Sequence, residues 1–479
     1  MRLFSSLWFR FTVLFVLGLL ICLSMAWRSP SPSISLLPAL PQDPLIQAYF
    51  NHSQSSLYTE PYRQQKRLGD NLEQTIVEAI AAAQSQIDVA VHEINLPRIA
   101  LALKERNRAG VQVRVIVENF YSRPLSRLTL QQVNALNEHD RHKYNEFLQL
   151  ADLNQDGQVD AVEAEQGDAI AILQTAQIPL IDDTADGSKG SGLMHHKFLI
   201  IDGKTLMVSS ANLTLSDIHG DFLAPASLGN ANHLLKISSS ELAEHFTQEF
   251  NLMWGASSPA SPGDRSVQPL FGAQKTYRLP QTVALTPRST VTVQFSPTSK
   301  RLDWDQSVNG LINRAISTAQ RSVDLMLFVF SEQTLSDRLE QVKDRGVQVR
   351  ALIEPQFFSR DYSEALDMMG IALRNARCRY EEGNRVWRSP ITTVGTPDLP
   401  QGDLLHHKVG IIDQHLVITG SQNWSEAANH INDENLLVID NSTVAAHFQR
   451  EFERLYQGAS LGVPNSVQSK VKEERTRCQ

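Results

Sequence analysis

Apolar and polar positions follow the same order in two separate stretches of the chain. Residues 83–90 (AQSQIDVA) match 319–326 (AQRSVDLM), and residues 110–118 (GVQVRVIVE) match 346–354 (GVQVRALIE), both at an offset of 236 residues. In each copy an apolar, β-branched run is followed by a charged amphipathic segment and then by a second apolar run. This order predicts a strand, a helix and a strand, so the chain predicts two homologous α/β units.

A third repeated segment follows in each copy, MHHKFLIID at residues 194–202 and LHHKVGIID at residues 405–413. These two segments are 211 residues apart, so the first copy carries 25 extra residues before its segment. The apolar runs FLII and VGII are typical of a buried strand. Side chains two positions apart on a strand share a face, so each histidine is expected beside the lysine that follows it.

Changes in composition mark the predicted domain boundaries, with a stretch rich in Pro, Ser and Gly between the two copies. The predicted parts are an N-terminal apolar segment at 1–27, a Pro/Ser-rich linker at 28–45, a first α/β unit at 46–254 with an insertion at about 128–177, a linker at 255–284, a second α/β unit at 285–458 and a polar C-terminal tail at 459–479.

The N-terminal segment has the pattern of an export signal. Arg2 and Arg10 precede an apolar run from Phe11 to Trp27, and small residues at Ser24 and Ala26 fit a cleavage site. If this run is not cleaved, it would serve as a membrane anchor. The structural alternative is that it forms a buried core helix. We therefore expect an exported protein, periplasmic or extracellular, either released or tethered to the membrane by this segment.

Charge and cysteine content narrow the class of protein. The 479 residues include 44 Lys and Arg and 52 Asp and Glu, and the net charge of −8 argues against a general nucleic-acid scaffold. Residues 138–168 hold nine acids and two bases, however, so the rest of the chain is close to neutral and this argument weakens. The three cysteines, Cys22, Cys378 and Cys478, share no metal-ligand spacing, and the sequence predicts neither a disulfide framework nor a cysteine-zinc site.

The repeated histidine segments carry the side chains that phosphoryl transfer needs. Two histidines provide a nucleophile and an acid, while two lysines and two asparagines provide cations and amide donors for the phosphate oxygens. The residues that recur at this spacing are His195, Lys197, Asp202, Ser210 and Asn212 in the first copy, and His406, Lys408, Asp413, Ser421 and Asn423 in the second.

This doubled pattern, His-x-Lys-x4-Asp followed by Ser-x-Asn, resembles the phospholipase D superfamily over most of the chain beyond residue 46. The resemblance implies two α/β/α sandwich units with mixed sheets, packed with pseudo-two-fold symmetry around one active site. It also implies that one of His195 and His406 attacks phosphorus to give a phosphohistidine and the other protonates the leaving alcohol, with no metal in the chemistry. Asp202 and Asp413 would be structural. Because one chain holds both copies, we expect a monomer.

The sequence departs from the family pattern at the residue that orients the histidine. Glu434 lies 11 residues after Asn423, whereas the first copy has Asn232 at the matching place and Ser209 in place of the glycine. An amide stabilises an imidazolium less than a carboxylate does. Family precedent favours His195 as the nucleophile, but Glu434 makes His406 the better-supported histidine, and the assignment stays open.

The 25 extra residues of the first copy include DLNQDGQVDAVE at residues 152–163, which fits an EF-hand calcium loop. The alternative is an acidic turn that binds no metal. We expect calcium in a structural or regulatory role. The predicted ligands are Asp152, Asn154, Asp156, Gln158, Asp160 and Glu163.

The substrate is left between two classes of phosphodiester. Export and tethering favour a phospholipid head group, and a non-specific endonuclease acting on DNA or RNA is the alternative. A lipid synthase and a non-enzymatic, calcium-dependent adhesion or scaffold module are further alternatives. Aromatic residues that could line a lipid pocket or stack on bases are Phe120, Tyr121, Phe357, Phe358, Tyr362 and Trp424.

Overall fold

The computed structural model describes residues 35–190, 192–256 and 267–478. The chain divides into two compact parts, Met1–Pro38 and Ala39–Gln479, and the second contains both α/β units. The predicted export segment at 1–27 lies outside the described residues. In the described part of the chain, no helix has the length and apolar character that crossing a bilayer requires.

The first unit is built on a seven-stranded mixed sheet. Its strands are β1 (Ile46–Phe50), β4 (Gln86–Val91), β5 (Gln112–Val117), β6 (Leu180–Asp182), β7 (Lys197–Ile201), β8 (Thr205–Ser209) and β9 (His233–Ser238), and β2 (Leu57–Thr59) and β3 (Lys66–Leu68) form a separate ribbon. The strand order is β1-β9-β8-β7-β4-β5-β6. Its helices are α1 (Leu72–Ala81), α2 (Pro97–Arg108), α3 (Leu130–Ala135), α4 (Glu138–Ala151), α5 (Ala161–Gly167), α6 (Ala169–Thr175), α7 (Leu215–Ile218) and α8 (Ser240–Trp254).

The second unit repeats this sheet and extends it at both edges. Its strands are β10 (Gln281–Thr286), β11 (Ser289–Phe295), β12 (Ser322–Leu327), β14 (Gln348–Ile353), β15 (Val394–Thr396), β16 (Lys408–Ile412), β17 (Leu416–Gly420), β19 (Asn435–Asp440) and β20 (Ser460–Leu461), and β13 (Phe330–Ser331) pairs with β18 (Trp424–Ser425). The order is β10-β11-β19-β17-β16-β12-β14-β15-β20. Its helices are α9 (Val308–Ser317), α10 (Gln333–Asp344), α11 (Pro355–Phe358), α12 (Glu364–Met368), α13 (Glu426–His430), α14 (Ser442–Gln457) and α15 (Asn465–Arg477).

The repeated sequence places an equivalent ion pair in each sheet, almost fully buried in the first unit and partly buried at Arg350 in the second. The Arg114 guanidinium donates to Asp88 at 2.7 Å, and 236 residues later Arg350 donates to Asp324 at 2.7 Å. Both pairs join the two parallel central strands of a sheet. A charge buried without a partner is costly, so each strand requires the other beside it. The two copies of the pattern therefore fold alike.

The two sheets enclose a shared apolar core and each carries a second core on its other face. Alternate residues of β4 and β7, such as Ala90 and Phe198, belong to the shared core, and their neighbours Val89 and Leu199 belong to the outer core of the first unit. Helices α8 and α14 fill the layer between the sheets with fully buried aromatic rings. Burying each large ring stabilises the fold by roughly 2–3 kcal/mol, so the halves form one body. The expected α/β fold with mixed sheets and pseudo-two-fold packing is confirmed.

The C-terminal segment differs from its prediction. Residues 459–479 were expected to form a polar tail, but β20 joins the second sheet and Val467 of α15 is fully buried. Cys478, at the end of α15, forms a disulfide with Cys378, so the expectation of no disulfide is wrong at this pair. These cysteines lie 100 residues apart, and only the packing of α15 brings their Cα atoms to 5.5 Å.

The insertion in the first unit is helical, and two helices precede the acidic loop. Residues 130–150 contain α3 and α4, and the break falls at Asn137, whose side chain accepts the backbone N–H of Asp140 at the start of α4. Asparagine at a helix start satisfies an otherwise free N–H group, which explains where α4 begins. The chain then continues through α5 and α6 to β6 at the sheet edge.

Candidate active site

Each histidine–lysine segment lies at the entrance to a central strand, and the two segments meet at the interface between the units. Lys197 and Lys408 are the first residues of β7 and β16. Just before these strands, the backbone N–H of His195 donates to the carbonyl of Asp433 at 2.9 Å, and that of His406 donates to Ala231 at 3.1 Å. Each histidine is thus held by backbone from the other unit.

The His195 ring contacts a carboxylate from the second unit. Its Nδ1 lies 2.7 Å from Oε2 of Glu434, which is fully buried. The sequence interpretation, in which Glu434 supports His406 of its own unit, is therefore wrong. The side chain that orients His195 thus comes from the other unit. It is Glu434, which lies 239 positions later in the sequence.

The His406 ring contacts the amide that replaces this carboxylate. The Nδ2 group of Asn232 donates to the carbonyls of Asp217 and Asn230, so its Oδ1 faces His406 and accepts from Nδ1 at 3.1 Å. This arrangement fixes the proton of the neutral His406 ring on Nδ1. The other ring nitrogen, Nε2, takes no part in this hydrogen bond.

Asp217 is a site residue that sequence reasoning missed. Its Oδ1 lies 3.7 Å from Nδ1 of His406, and its Oδ2 accepts the backbone N–H of Asn212 at 2.6 Å. At the offset of 211 the second copy has Ala428, so no repeated pattern marks this aspartate. His406 has an amide, Asn232, where His195 has a carboxylate, and the nearby carboxylate of Asp217 partly compensates for this difference.

The two motif lysines are almost fully buried among the histidines. Their Nζ groups donate to the carbonyl of the histidine two residues earlier, at 2.9 Å for Lys197 and 2.7 Å for Lys408. Burial lowers the pKa of Lys197 to about 8, although Glu434 and Asp217 favour its charged form. Burial and the charge of Lys197 hold the pKa of Lys408 well below its usual value. An anion bound close to both lysines would favour their protonated, charged forms.

Burial also determines the protonation of the histidines. It lowers the pKa of both His195 and His406 well below 6.5, and the two lysines add to the effect at each ring. Burial raises the pKa of Glu434 to about 7, opposed by the charge of Lys197. The site therefore holds neutral imidazoles in a cationic surrounding, as anion binding and nucleophilic attack require.

The motif asparagines and serines complete the arrangement. The Oδ1 atoms of Asn212 and Asn423 are buried and have no hydrogen-bond partner among the described residues. Ser210 donates to Asn232 at 2.8 Å, so it supports the residue that holds His406. Ser421 accepts the backbone N–H of Asn435 at 3.0 Å, next to Glu434.

The motif aspartates lie away from the reacting groups and hold turns. Asp202 accepts the backbone N–H groups of residues 84–86, and Asp413 does the same for residues 320–322. Burial opposes ionisation, but these hydrogen bonds lower the pKa of both carboxyls overall. Both residues fix the start of a central strand.

The predicted aromatic residues fall into different environments. Phe358 and Trp424 are core residues, at 1% and 0% exposure, whereas Phe120 is 80% exposed. Phe357 packs on Phe328, whose ring lies 4.8 Å from that of His406. Phe328 was not identified from the sequence, although it directly follows the repeated strand β12.

The predicted calcium loop lies between α4 and α5 with its carboxylates turned toward its own backbone. Asp152 accepts from the N–H of Gly157 at 2.8 Å, and Glu163 accepts from Leu153 and Asn154 at 3.0 Å. Gly157 has a φ of +82°, a conformation that favours glycine. Across the described ranges, no group of three or more His, Cys, Asp or Glu side chains is arranged to hold a metal.

Comparison with known proteins gives the family. The model of the family described as "Cardiolipin synthase, PLD-like domain" matches residues 76–254 and 312–456. The mitochondrial cardiolipin hydrolase of Xenopus tropicalis is 31% identical over 141 residues, which are 29% of this chain and 56% of that protein. A phospholipase D of Rickettsia bellii is 28% identical over 158 residues, 33% of this chain and 65% of that protein. The match thus spans about half the length of the first curated relatives.

One solved structure shares the fold over almost the whole chain. The phosphatidylserine synthase of Haemophilus influenzae aligns with a TM-score of 0.52 and 12% identity, over 93% of this chain and 96% of that one. At this identity the likeness concerns the fold alone. It covers both units, as the internal repeat does.

Proposed function

The chain belongs to the cardiolipin synthase PLD-like domain family, and on this premise we propose that it is a phospholipase D-type phosphodiesterase that hydrolyses a phospholipid head-group phosphodiester through a phosphohistidine. The observation that carries the proposal is the meeting of two His–Lys–Asn sets, one from each unit, at one buried site. Two imidazoles, two amines and two amides are the groups that a phosphoryl transfer without metal uses.

We assign the nucleophile to His195. Its Nδ1 donates to a carboxylate, which favours the positive charge that the ring gains when Nε2 bonds to phosphorus. His406 rests on an amide, which supports the imidazolium less and makes it the better acid. The assignment follows from the crossed contacts of Glu434 and Asn232.

The reaction then proceeds in two steps. In the first, the bound phosphate anion favours the imidazolium form of His406, which then carries protons on both Nδ1 and Nε2. A P–N bond to His195 forms, the P–O bond to the leaving alcohol breaks, and the Nε2 proton of His406 passes to that alcohol. In the second, His406 takes a proton from water, the new P–O bond forms and the P–N bond breaks. Lys197, Lys408 and the two motif asparagines bind the remaining phosphate oxygens throughout.

A lipid substrate is supported by the apolar wall beside the acid. Phe328 packs against His406, where the leaving group departs, and Phe357 packs behind Phe328. The exposed ring of Phe120 can enter a lipid surface. The names of the curated relatives agree with a phospholipid substrate.

The test compares substrates and variants. Vesicles of cardiolipin or phosphatidylcholine should be cleaved by the native chain and not by His195→Ala or His406→Ala, and stalled enzyme should carry phosphate on His195. Label on His406 would reverse the assignment, and the absence of any phosphohistidine would refute the covalent mechanism. Nicking of plasmid DNA without lipid cleavage would establish the endonuclease instead.

We also propose that the loop at 152–163 binds calcium in a structural or regulatory role. Its donors are hard oxygen ligands at EF-hand positions, Gly157 makes the required turn, and helices flank the loop on both sides. The ligands would be Asp152, Asn154, Asp156, Gln158, Asp160 and Glu163. Isothermal titration with CaCl₂ should give binding that Glu163→Gln abolishes, and no heat in the native chain would refute it.

The disulfide supports our proposal that the protein acts outside the cytoplasm, released or tethered by its N-terminal segment. Disulfides such as Cys378–Cys478 persist in oxidising compartments and are rare in the cytosol. Fractionation of cells with the native N-terminus should place the chain in an exported or membrane fraction. Recovery only with cytosolic markers would contradict this.

A further inference from the structure

The insertion that carries the acidic loop also reaches the active site. Lys143, on α4, donates from Nζ to Oε2 of Glu93 at 2.6 Å and to the hydroxyl of Tyr121 at 3.2 Å. The same amine lies 4.2 Å from the centre of the Tyr121 ring. Neither Glu93 nor Tyr121 belongs to a helix of the insertion, so this contact joins the insertion to the catalytic unit.

The contact continues through two rings to the proposed nucleophile. The Tyr121 ring packs edge-on against His92 with 5.1 Å between centroids, and His92 packs edge-on against His195, also at 5.1 Å. The Nδ1 atom of His92 is buried with no hydrogen-bond partner within the described part of the chain. The two ring contacts and the neighbouring Asn212 side chain therefore position the His92 ring.

The second unit has a different wall at the equivalent positions. At the offset of 236, His92, Glu93 and Tyr121 correspond to Phe328, Val329 and Phe357. Phe328 packs on His406 at 4.8 Å and on Phe357 at 4.8 Å, with the same edge-on geometry. The residues packed beside the motif histidine are thus polar or titratable in the unit that carries the insertion. In the unit without an insertion, the equivalent residues are apolar.

We propose that Lys143 is a positioning residue of the active site, supplied by the insertion, which holds Tyr121 and His92 against His195 and sets the charge around them. The proposal rests on the proposed function of His195. An amine held between a carboxylate and an aromatic face is fixed in place, and fixed groups next to a nucleophile preserve its orientation.

The charges around His92 define the expected pH effect. Its neighbours with charge or titratable groups are Lys197 and His195 from the β7 entrance, Lys143 from α4, Tyr121, and Glu93 on its own segment. Burial, followed by Lys197, His195 and Lys143, lowers the pKa of His92 well below its usual value. Lys143 is one of the charges that lower the pKa of His92, so removing its charge while Glu93 remains would favour the protonated form of His92.

The first experiment is a charge cycle at Lys143 and Glu93. With bis(4-nitrophenyl) phosphate as the probe, we expect Lys143→Met to lower kcat by roughly ten- to a hundredfold. The acidic limb of its pH–rate profile should move up by about one pH unit. Lys143→Arg should restore the limb, and the double variant with Glu93→Gln should return it toward the native position.

Matched controls separate positioning from simple anchoring. Phe147→Ala loosens the same helix from its buried contact without changing a charge, so it should lower the melting temperature and leave the acidic limb in place. A Lys143→Met variant that loses melting temperature but keeps the native pH profile would overturn the proposal.

An NMR titration makes the result independent of turnover. The imidazole pKa of His92 should rise in Lys143→Met, because Lys143 is one of the charges that lower it, and an unchanged value would also overturn the proposal. If the native chain does not hydrolyse the probe or any vesicle, the proposed function fails, while the NMR result still decides whether Lys143 controls the His92 ring.

Discussion

Replacement of Glu434 by glutamine tests the crossed arrangement of the active site. The substitution keeps the shape of the side chain and an oxygen that can face Nδ1 of His195, but it removes the negative charge. The native contact is 2.7 Å long, and both groups are buried. Such a charge-assisted hydrogen bond contributes about 1.5–3 kcal/mol. Since about 1.4 kcal/mol corresponds to a tenfold rate change, kcat/KM should fall by roughly 10- to 150-fold.

The step that slows should be formation of the phosphohistidine, because His195 gains its positive charge in that step. Rapid mixing with bis(4-nitrophenyl) phosphate measures this directly as the burst of released nitrophenolate. Glu451→Gln is the matched control, since that buried carboxylate lies 3.3 Å from the neighbouring off-motif histidine His407. Equal losses in both variants, or an unchanged burst in Glu434→Gln, would refute the reasoning.

Three further predictions concern stability. Saturating calcium, at about 100 times Kd, should stabilise the native chain by about 2.7 kcal/mol, and Glu163→Gln should show no such rise in melting temperature. Reducing the Cys378–Cys478 disulfide, which closes a sequence separation of 100 residues, should lower the free energy of unfolding by about 3–5 kcal/mol; equal denaturation curves with and without reductant would contradict this. The folded-state pKa of Asp202 lies below 3.8 because backbone and Ser85 hydrogen bonds outweigh burial, so its contribution is complete above that value and is lost as pH falls through the folded pKa. The melting-temperature difference between native chain and Asp202→Asn should therefore shrink in acid, and a constant difference would count against the turn-holding role.

Much of the site was predictable because its pattern is local. The spacing from His195 to Lys197 and Asp202 lies within one strand and one turn, and the copy at His406 repeats it. Strand alternation puts a histidine and its lysine on one face wherever such a segment enters a sheet. The contacts of the motif aspartates are not local, because Asp202 and Asp413 accept hydrogen bonds from Ser85 and Arg321, which lie 117 and 92 residues earlier in the sequence.

The sequence by itself determined the duplicated α/β architecture and the residues of the two motifs, because side-chain periodicity and motif spacing are properties of short segments. Only the tertiary structure decided which unit supports which histidine, since Glu434 meets His195 from 239 residues away and Asp217 has no counterpart in the repeat. The same holds for the disulfide to Cys478 and for the contact of Lys143 with Tyr121. These contacts form between elements that are far apart in the sequence and meet only when they pack together. The spacing of residues within one segment therefore does not predict them.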